Sequence, residues 1–284
     1  MSVTVFEVNC VVERLWPLTD AADWDAPGLL SGAPSAVVNR VHLAVDAVSA
    51  TVAEAIDVGA DLLLVHHPLL MRGVTSISED RPKGALLSQL IRANCALIAA
   101  HTNADVVSTG TSAVFAGALG LSDQRPLVAT TERGAGTGTG TGTGTGSGFG
   151  RVGVLPTPLS LGRLARQLGA LLPATAGGIR VSGEYDAPIS TVAICGGAGD
   201  SLLGNPEVLA SDVYITSDLR HHPASEFREA ARLSQGPALI DVSHWASEWL
   251  WLSTAAAELQ QALPQLTITV SDLRTDPWDF VITQ

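Results

Sequence analysis

Lysine is almost missing from this chain: Lys83 is the only one. Lysine and arginine together number 16 against 28 aspartates and glutamates, which leaves a formal charge of -12 and a pI near 4.9. A protein whose main partner is nucleic acid needs a basic face to neutralise phosphates, so nucleic acid is not expected as a partner. A nucleotide needs only a few local donors and stays open. Cysteine is scarce as well. Cys10, Cys95 and Cys195 form no CxxC pair, and Cys95 and Cys195 lie in apolar runs. That pattern points to buried thiols in a reducing cytoplasm, not to a disulfide framework. No uncharged apolar run reaches the roughly 18 residues that a membrane span needs, so none is expected. The opening Met1-Ser-Val-Thr-Val-Phe-Glu7 lacks a charged segment followed by an apolar one, so no secretory signal is expected.

What is present is a chain of 284 residues, 46% hydrophobic and 15% charged. That is enough apolar material for one large domain or two modest ones. The sharpest boundary is the alternating Gly/Thr tract from Gly134 to Gly148. Alternating glycine holds no defined backbone cheaply and buries nothing, so a flexible surface excursion is expected. A phosphate-cradling loop would need a following Gly-Lys-Ser/Thr, which is not there. The expected organisation is an N-terminal α/β lobe over 1–130, a linker over 131–149 and a C-terminal α/β lobe over 150–284.

Within the first lobe the pattern predicts helices over 5–15, 49–57, 83–92 and 111–119, alternating with strands over 36–45, 61–65 and 95–100. Gly59 and Gly120 follow two of these helices as stop signals. The second lobe repeats the alternation. Strands are predicted over 150–155, 191–195, 213–216, 238–242 and 266–270, and helices over 159–171, 223–233 and 245–258. This order predicts an α/β fold with mainly parallel sheets covered by helices.

Three predicted strands end in side chains that bind metals. The first runs from Asp61 into His66-His67-Pro68, and the second from Ala96 into His101-Thr102-Asn103-Ala-Asp105. The third runs from Leu239 into His244-Trp-Ala-Ser-Glu248. Four of the seven histidines fall at these ends. Functional groups collect at the C-terminal ends of strands in α/β proteins. His66 and His67 would face opposite ways on a regular strand, and a turn at Pro68 could bring both to one cavity. His244 and Glu248, four residues apart at a helix start, could clamp one ion from two sides. Asp105 could bridge two ions. Each segment also has a plainer reading: a surface histidine pair before a turn, a helix cap with an exposed carboxylate, or an Asx turn. As a set, histidines and carboxylates suit zinc, iron or manganese. Gly196-Gly197-Ala198-Gly199 after a strand fits either a tight turn or a backbone approach to a phosphate. Trp245, Trp249 and Trp251 are expected to pack a core or a subunit interface.

In order along the chain, these motifs resemble those of the GTP cyclohydrolase I type 2 homologue family, also described as dinuclear-metal-centre hexameric proteins. The match includes Trp24-Asp25-x-x-Gly28-Leu29, His66-His67-Pro68-Leu-Leu with Arg72-Gly73, and His101-Thr102-Asn103-x-Asp105. It continues through Gly196-Gly197-x-Gly199, Asp212-x-Tyr-Ile-Thr216-x-Asp218-x-x-x-His222 and Asp241-x-x-His244-x-x-x-Glu248. Ser217 and Ser243 stand where the family has glycine before Asp218 and His244. Longer relatives carry an additional mid-chain domain where this chain has its Gly/Thr tract.

The resemblance implies two divalent ions held by His66, His67, Asp105, His244 and Glu248 between the two lobes, with Asp105 and Glu248 as shared ligands. It implies catalytic or proton-transfer roles for His101 and His222, and a toroidal homohexamer. The activity it implies is hydrolysis of GTP to 7,8-dihydroneopterin triphosphate and formate. Arg72, Arg151 and Arg220 are the candidate partners for the triphosphate. Hydrolysis of another small molecule or phosphoester, or a metal-binding hexamer without turnover, fits the same ligand set.

Overall fold

The computed structural model describes residues 2–130, 146–234 and 236–283. Most of the Gly/Thr tract therefore lies outside the described residues. The chain forms two compact units that are not consecutive stretches. The first comprises Met1–Ala104 and Trp251–Thr275, and the second Asp105–Leu250 and Asp276–Gln284. This differs from a linear division at the tract. The strand Thr267–Val270 joins the first unit's sheet, and Ser122–Arg125 joins the second's.

The first unit has a five-stranded sheet in the order Thr267–Val270, Arg40–Ala44, Leu62–Val65, Ala96–Ala99, Gly28–Ser31. The first three pairings are parallel, and Gly28–Ser31 closes the edge antiparallel. Helices Ser49–Asp57 and Pro82–Arg92 make the crossovers. Leu62–Val65 and Ala96–Ala99 are buried at every residue, as continuous apolar strands of a covered parallel sheet should be. Val52, Leu63, Val65, Leu87, Leu90 and Leu97 form the core between sheet and helices. Helix Val5–Leu15 falls where the sequence predicts it. Its start is fixed by a capping box, in which Thr4 Oγ1 accepts from the Glu7 amide and Glu7 accepts from the Thr4 amide.

The second unit has a six-stranded sheet in the order Arg180–Ser182, Ala238–Val242, Val213–Ser217, Pro188–Ala198, Arg151–Ser160, Ser122–Arg125. The three strands around Val213–Ser217 are parallel, and the outer pairings are antiparallel. The strand predicted to stop at Leu155 continues to Ser160 despite Pro156 and Pro158. Its register against Pro188–Ala198 shifts between Val154 and Leu159, so both prolines fall where no regular ladder bond is needed. Among the described residues, no helix is long and apolar enough to cross a membrane.

Candidate metal centre

In the first unit, Leu62–Val65 and Ala96–Ala99 run parallel and adjacent. His66 and His67 follow the first strand, and His101 follows the second after Ala100. The amides of His66 and His67 both donate to the Val45 carbonyl, at 3.1 and 2.9 Å. This wrap ends the pleat, so the two rings no longer alternate and lie 5.1 Å apart between centroids. The His101 ring is 5.2 Å from that of His66 and 5.5 Å from that of His67. One ligand nitrogen from each of the three lies within 4.8 Å of the others.

An oxygen holds the Nδ1 of each ring. His66 Nδ1 meets the Ala100 carbonyl at 2.8 Å, His67 Nδ1 meets Asp46 Oδ1 at 2.7 Å, and His101 Nδ1 meets Asp25 Oδ1 at 2.8 Å. A carbonyl or an ionised carboxylate only accepts, so each Nδ1 carries the proton and each neutral ring keeps its lone pair on Nε2. That is the tautomer a metal ligand needs, and an acceptor behind Nδ1 also raises the basicity of Nε2. The carboxylates are themselves fixed. The Thr275 hydroxyl donates to Asp46, and the Thr102 amide and hydroxyl donate to Asp25. Burial alone would raise the Asp25 pKa. Hydrogen bonds from His101 and Thr102, the charge His101 carries whenever its ring is protonated, and the Ala26 amide outweigh it and lower the group to about 2.

In the second unit, Ser243 begins the helix His244–Ala262. Its Oγ accepts from the Ala246 amide at 3.2 Å, as a capping residue does. His244 is thus the first helical residue, one earlier than the sequence predicts. His244 Nε2 lies 3.0 Å from Glu248 Oε1, and its Nδ1 lies 2.7 Å from Asp218 Oδ2. Burial would lower the His244 pKa. The charges and hydrogen bonds of Glu248 and Asp218 push harder and raise it to about 11. Both carboxylates favour positive charge at this ring, whether a proton or a metal ion.

The backbone makes room for this pair. Gly197 has φ +70, and a Cβ on it would lie 2.4 Å from Glu248 Oε1 and 3.3 Å from His244 Nε2. The Gly196 and Gly197 amides donate to Ser112 Oγ and Ser247 Oγ, at 3.0 and 2.9 Å. The glycine run is therefore shaped for close side-chain approach, and hydroxyls already hold these two amides. Asp218 has φ +58, a conformation that aspartate tolerates better than most residues, directly after Ser217.

The remaining predicted residues are placed as follows. Asp105 ends the short helix Thr102–Asp105 and accepts from Thr111 Oγ1 at 2.5 Å. His222 is exposed at the start of helix His221–Ser234, with its ring 5.2 Å from that of His221. Arg151 is fully buried and donates to the carbonyls of Gly148, Gly150 and Val107 at 2.6, 2.7 and 2.9 Å. Its guanidinium clamps backbone and is not presented to a phosphate. Arg220 pairs with Asp200 at 3.0 Å on the surface, and Arg72 is exposed. Trp251 is buried, with its ring 5.1 Å from that of Trp16 and 5.4 Å from that of His66. Sequence reasoning assigned no role to Asp25, Asp46 or Asp218, the three carboxylates behind the histidines. The available signal was their position, since Asp46 and Asp218 each directly follow an apolar strand and Asp25 follows Trp24 in a matched motif.

Fold and donor set together define an α/β protein whose strand ends present imidazoles in the tautomer that binds a divalent metal. Residues 3–277 match the family described as Duf34/NIF3 (NGG1p interacting factor 3), and the chain belongs to that family. It is 43% identical over 276 residues to a GTP cyclohydrolase 1 type 2 homolog of Streptomyces coelicolor, covering 96% of this chain and 92% of the relative. A protein of the same name from Mycobacterium tuberculosis is 36% identical over 377 residues, covering 98% of this chain and 97% of the relative. Among solved structures, a Bacillus cereus protein related to NIF3 superposes with a TM-score of 0.86 at 23% identity, covering 99% of this chain and all of the other. That likeness bears on the fold.

Proposed function

We propose that this chain is a metal-dependent hydrolase that holds two divalent ions, zinc, iron or manganese, and acts on GTP to give 7,8-dihydroneopterin triphosphate and formate. One observation carries the metal reading. Four histidines (His66, His67, His101 and His244) each have Nδ1 committed to an oxygen acceptor. The names of the relatives support the GTP reading.

In this proposal His66, His67, Asp105, His244 and Glu248 would hold the ions, with Asp105 and Glu248 as the shared ligands. Bound divalent ions would supply Lewis acidity and activate water near neutral pH. The protein's part is to hold the donors in place. Asp46 and Asp218 orient the His67 and His244 rings, and Gly197 leaves the space that Glu248 occupies. His101, fixed through Nδ1 by Asp25, would take up or return a proton at Nε2. His222 is the second proton-transfer candidate. Assembly into a homohexamer in the cytoplasm belongs to the same proposal and is supported by the family resemblance.

The test is elemental analysis of wild type and of a His66→Ala/Glu248→Ala variant, paired with GTP turnover followed by pterin fluorescence. About two ions per wild-type chain, as in dinuclear sites, with metal and turnover both lost in the variant, is the expected result. Metal without GTP turnover moves the substrate elsewhere. No metal uptake from metal-replete medium overturns the reading.

A further inference from the structure

Trp24 is 65% exposed although it sits in a firmly held segment. The turn Ala22–Asp25 is closed by the Asp25 amide donating to the Ala22 carbonyl at 2.9 Å. Thr102 secures both ends of the turn. Its Oγ accepts from the Ala22 amide at 2.9 Å, and its own amide donates to Asp25 Oδ2 at 3.0 Å. Asp25 in turn holds His101. The indole therefore stands at a fixed place beside the histidine cluster. Its ring centroid is 5.9 Å from that of His101, nearly perpendicular to it at 79°. The other two tryptophans of the unit, Trp16 and Trp251, are fully buried. Leaving this one open keeps most of an aromatic surface in water, which costs stability unless something else covers it.

We infer that Trp24 is the stacking platform for a flat heteroaromatic ring of the substrate, so that the centre takes a molecule carrying a base-like ring and not any small ester. This rests on the metal-centre reading above and deepens it. Stacking on an aromatic side chain is sequence-tolerant and needs only the π-face of a ring. An edge-to-face neighbour such as His101 fixes the platform without covering all of it. Trp24 acts here as a binding residue, and His101 beside it ties the stacked ring to the donor cluster.

The experiment uses metal-loaded full-length chain and two probes, guanosine 5′-monophosphate and ribose 5-phosphate, which share sugar and phosphate and differ in the ring. Affinities are measured by equilibrium dialysis for wild type, Trp24→Phe and Trp24→Ala. In wild type the nucleotide should bind more tightly than the sugar phosphate. Trp24→Ala should weaken nucleotide binding by about tenfold to a hundredfold, the size of one base–aromatic stack, and leave ribose 5-phosphate unchanged. Trp24→Phe should keep most of the affinity but lose the quenching of tryptophan emission that the nucleotide causes in wild type. Equal binding of the two probes to wild type, binding of neither, or unchanged nucleotide affinity in Trp24→Ala overturns the inference. A change in oligomeric state on Trp24→Ala with nucleotide affinity intact overturns it too and gives the indole to a subunit contact. Failure of the parent reading shows separately, as a chain that takes up no metal.

Discussion

In the first unit three imidazoles share one small volume, and their outer nitrogens rest on one carbonyl and two carboxylates. In the second unit a single imidazole lies between two carboxylates, one at each ring nitrogen. The first arrangement gathers several imidazole nitrogens. The second is an anionic notch that already draws a proton onto its ring and holds the pKa near 11. The same residue type is thus prepared for a cation in two ways, by number of donors and by local charge.

Glu248→Ala is the largest break of this comparison. It removes both the charge and a proposed ligand from the second unit, and metal content by elemental analysis should fall by about one ion per chain or more, given a dinuclear site. Gly197→Ala leaves every donor in place yet drives a Cβ against Glu248 Oε1 in a positive-φ position. Metal affinity should fall by about 10–100-fold. The left-handed strain should lower stability by about 1–2 kcal/mol, read as a shift in the urea midpoint. Asp46→Asn and Asp218→Asn compare the two units directly, since each replaces the carboxylate behind one histidine. Each should weaken metal binding by about 10–100-fold in competition titrations. If charge is what distinguishes the second unit, Asp218→Asn should show the stronger loss at low salt.

Asp25 sharpens the picture from the side of stability. Its folded pKa of about 2 lies below the ordinary 3.8. Its contribution is therefore fully present above pH 4 and lost as the pH falls through 2. The shift corresponds to about 2 kcal/mol. Urea unfolding of metal-free wild type between pH 5 and pH 2 should show this loss, and Asp25→Asn should lack that part of it. The smallest effect concerns the thiols. Burial pushes Cys95 up to about 11. Burial, with the charges of Asp105 and Glu248, pushes Cys195 to about 12, while Cys10 is exposed. Alkylation of the native chain at pH 8 should label Cys10 first by peptide mass mapping, with the other two following only on unfolding.

Much of this was legible in the sequence because its signals are local. Apolar runs such as Leu62–Val65 and Ala96–Ala99, the periodic pattern of helix Val5–Leu15, and the His244–Glu248 spacing all depend on residues within a turn or two of one another. They determined the element types, the α/β class and which histidines and acids stand at strand ends. Tertiary structure alone decided which carboxylate serves which histidine. Asp46 reaches His67 across 21 positions, Asp218 reaches His244 across 26, and Asp25 reaches His101 across 76. It also decided that Thr267–Val270 returns to the first sheet, that Gly197 is glycine for the sake of Glu248, and that Arg151 is spent on backbone carbonyls. Periodicity records how a segment buries its own face. Partners brought together by packing between distant segments leave no periodic trace, because their geometry exists only once the sheets have formed.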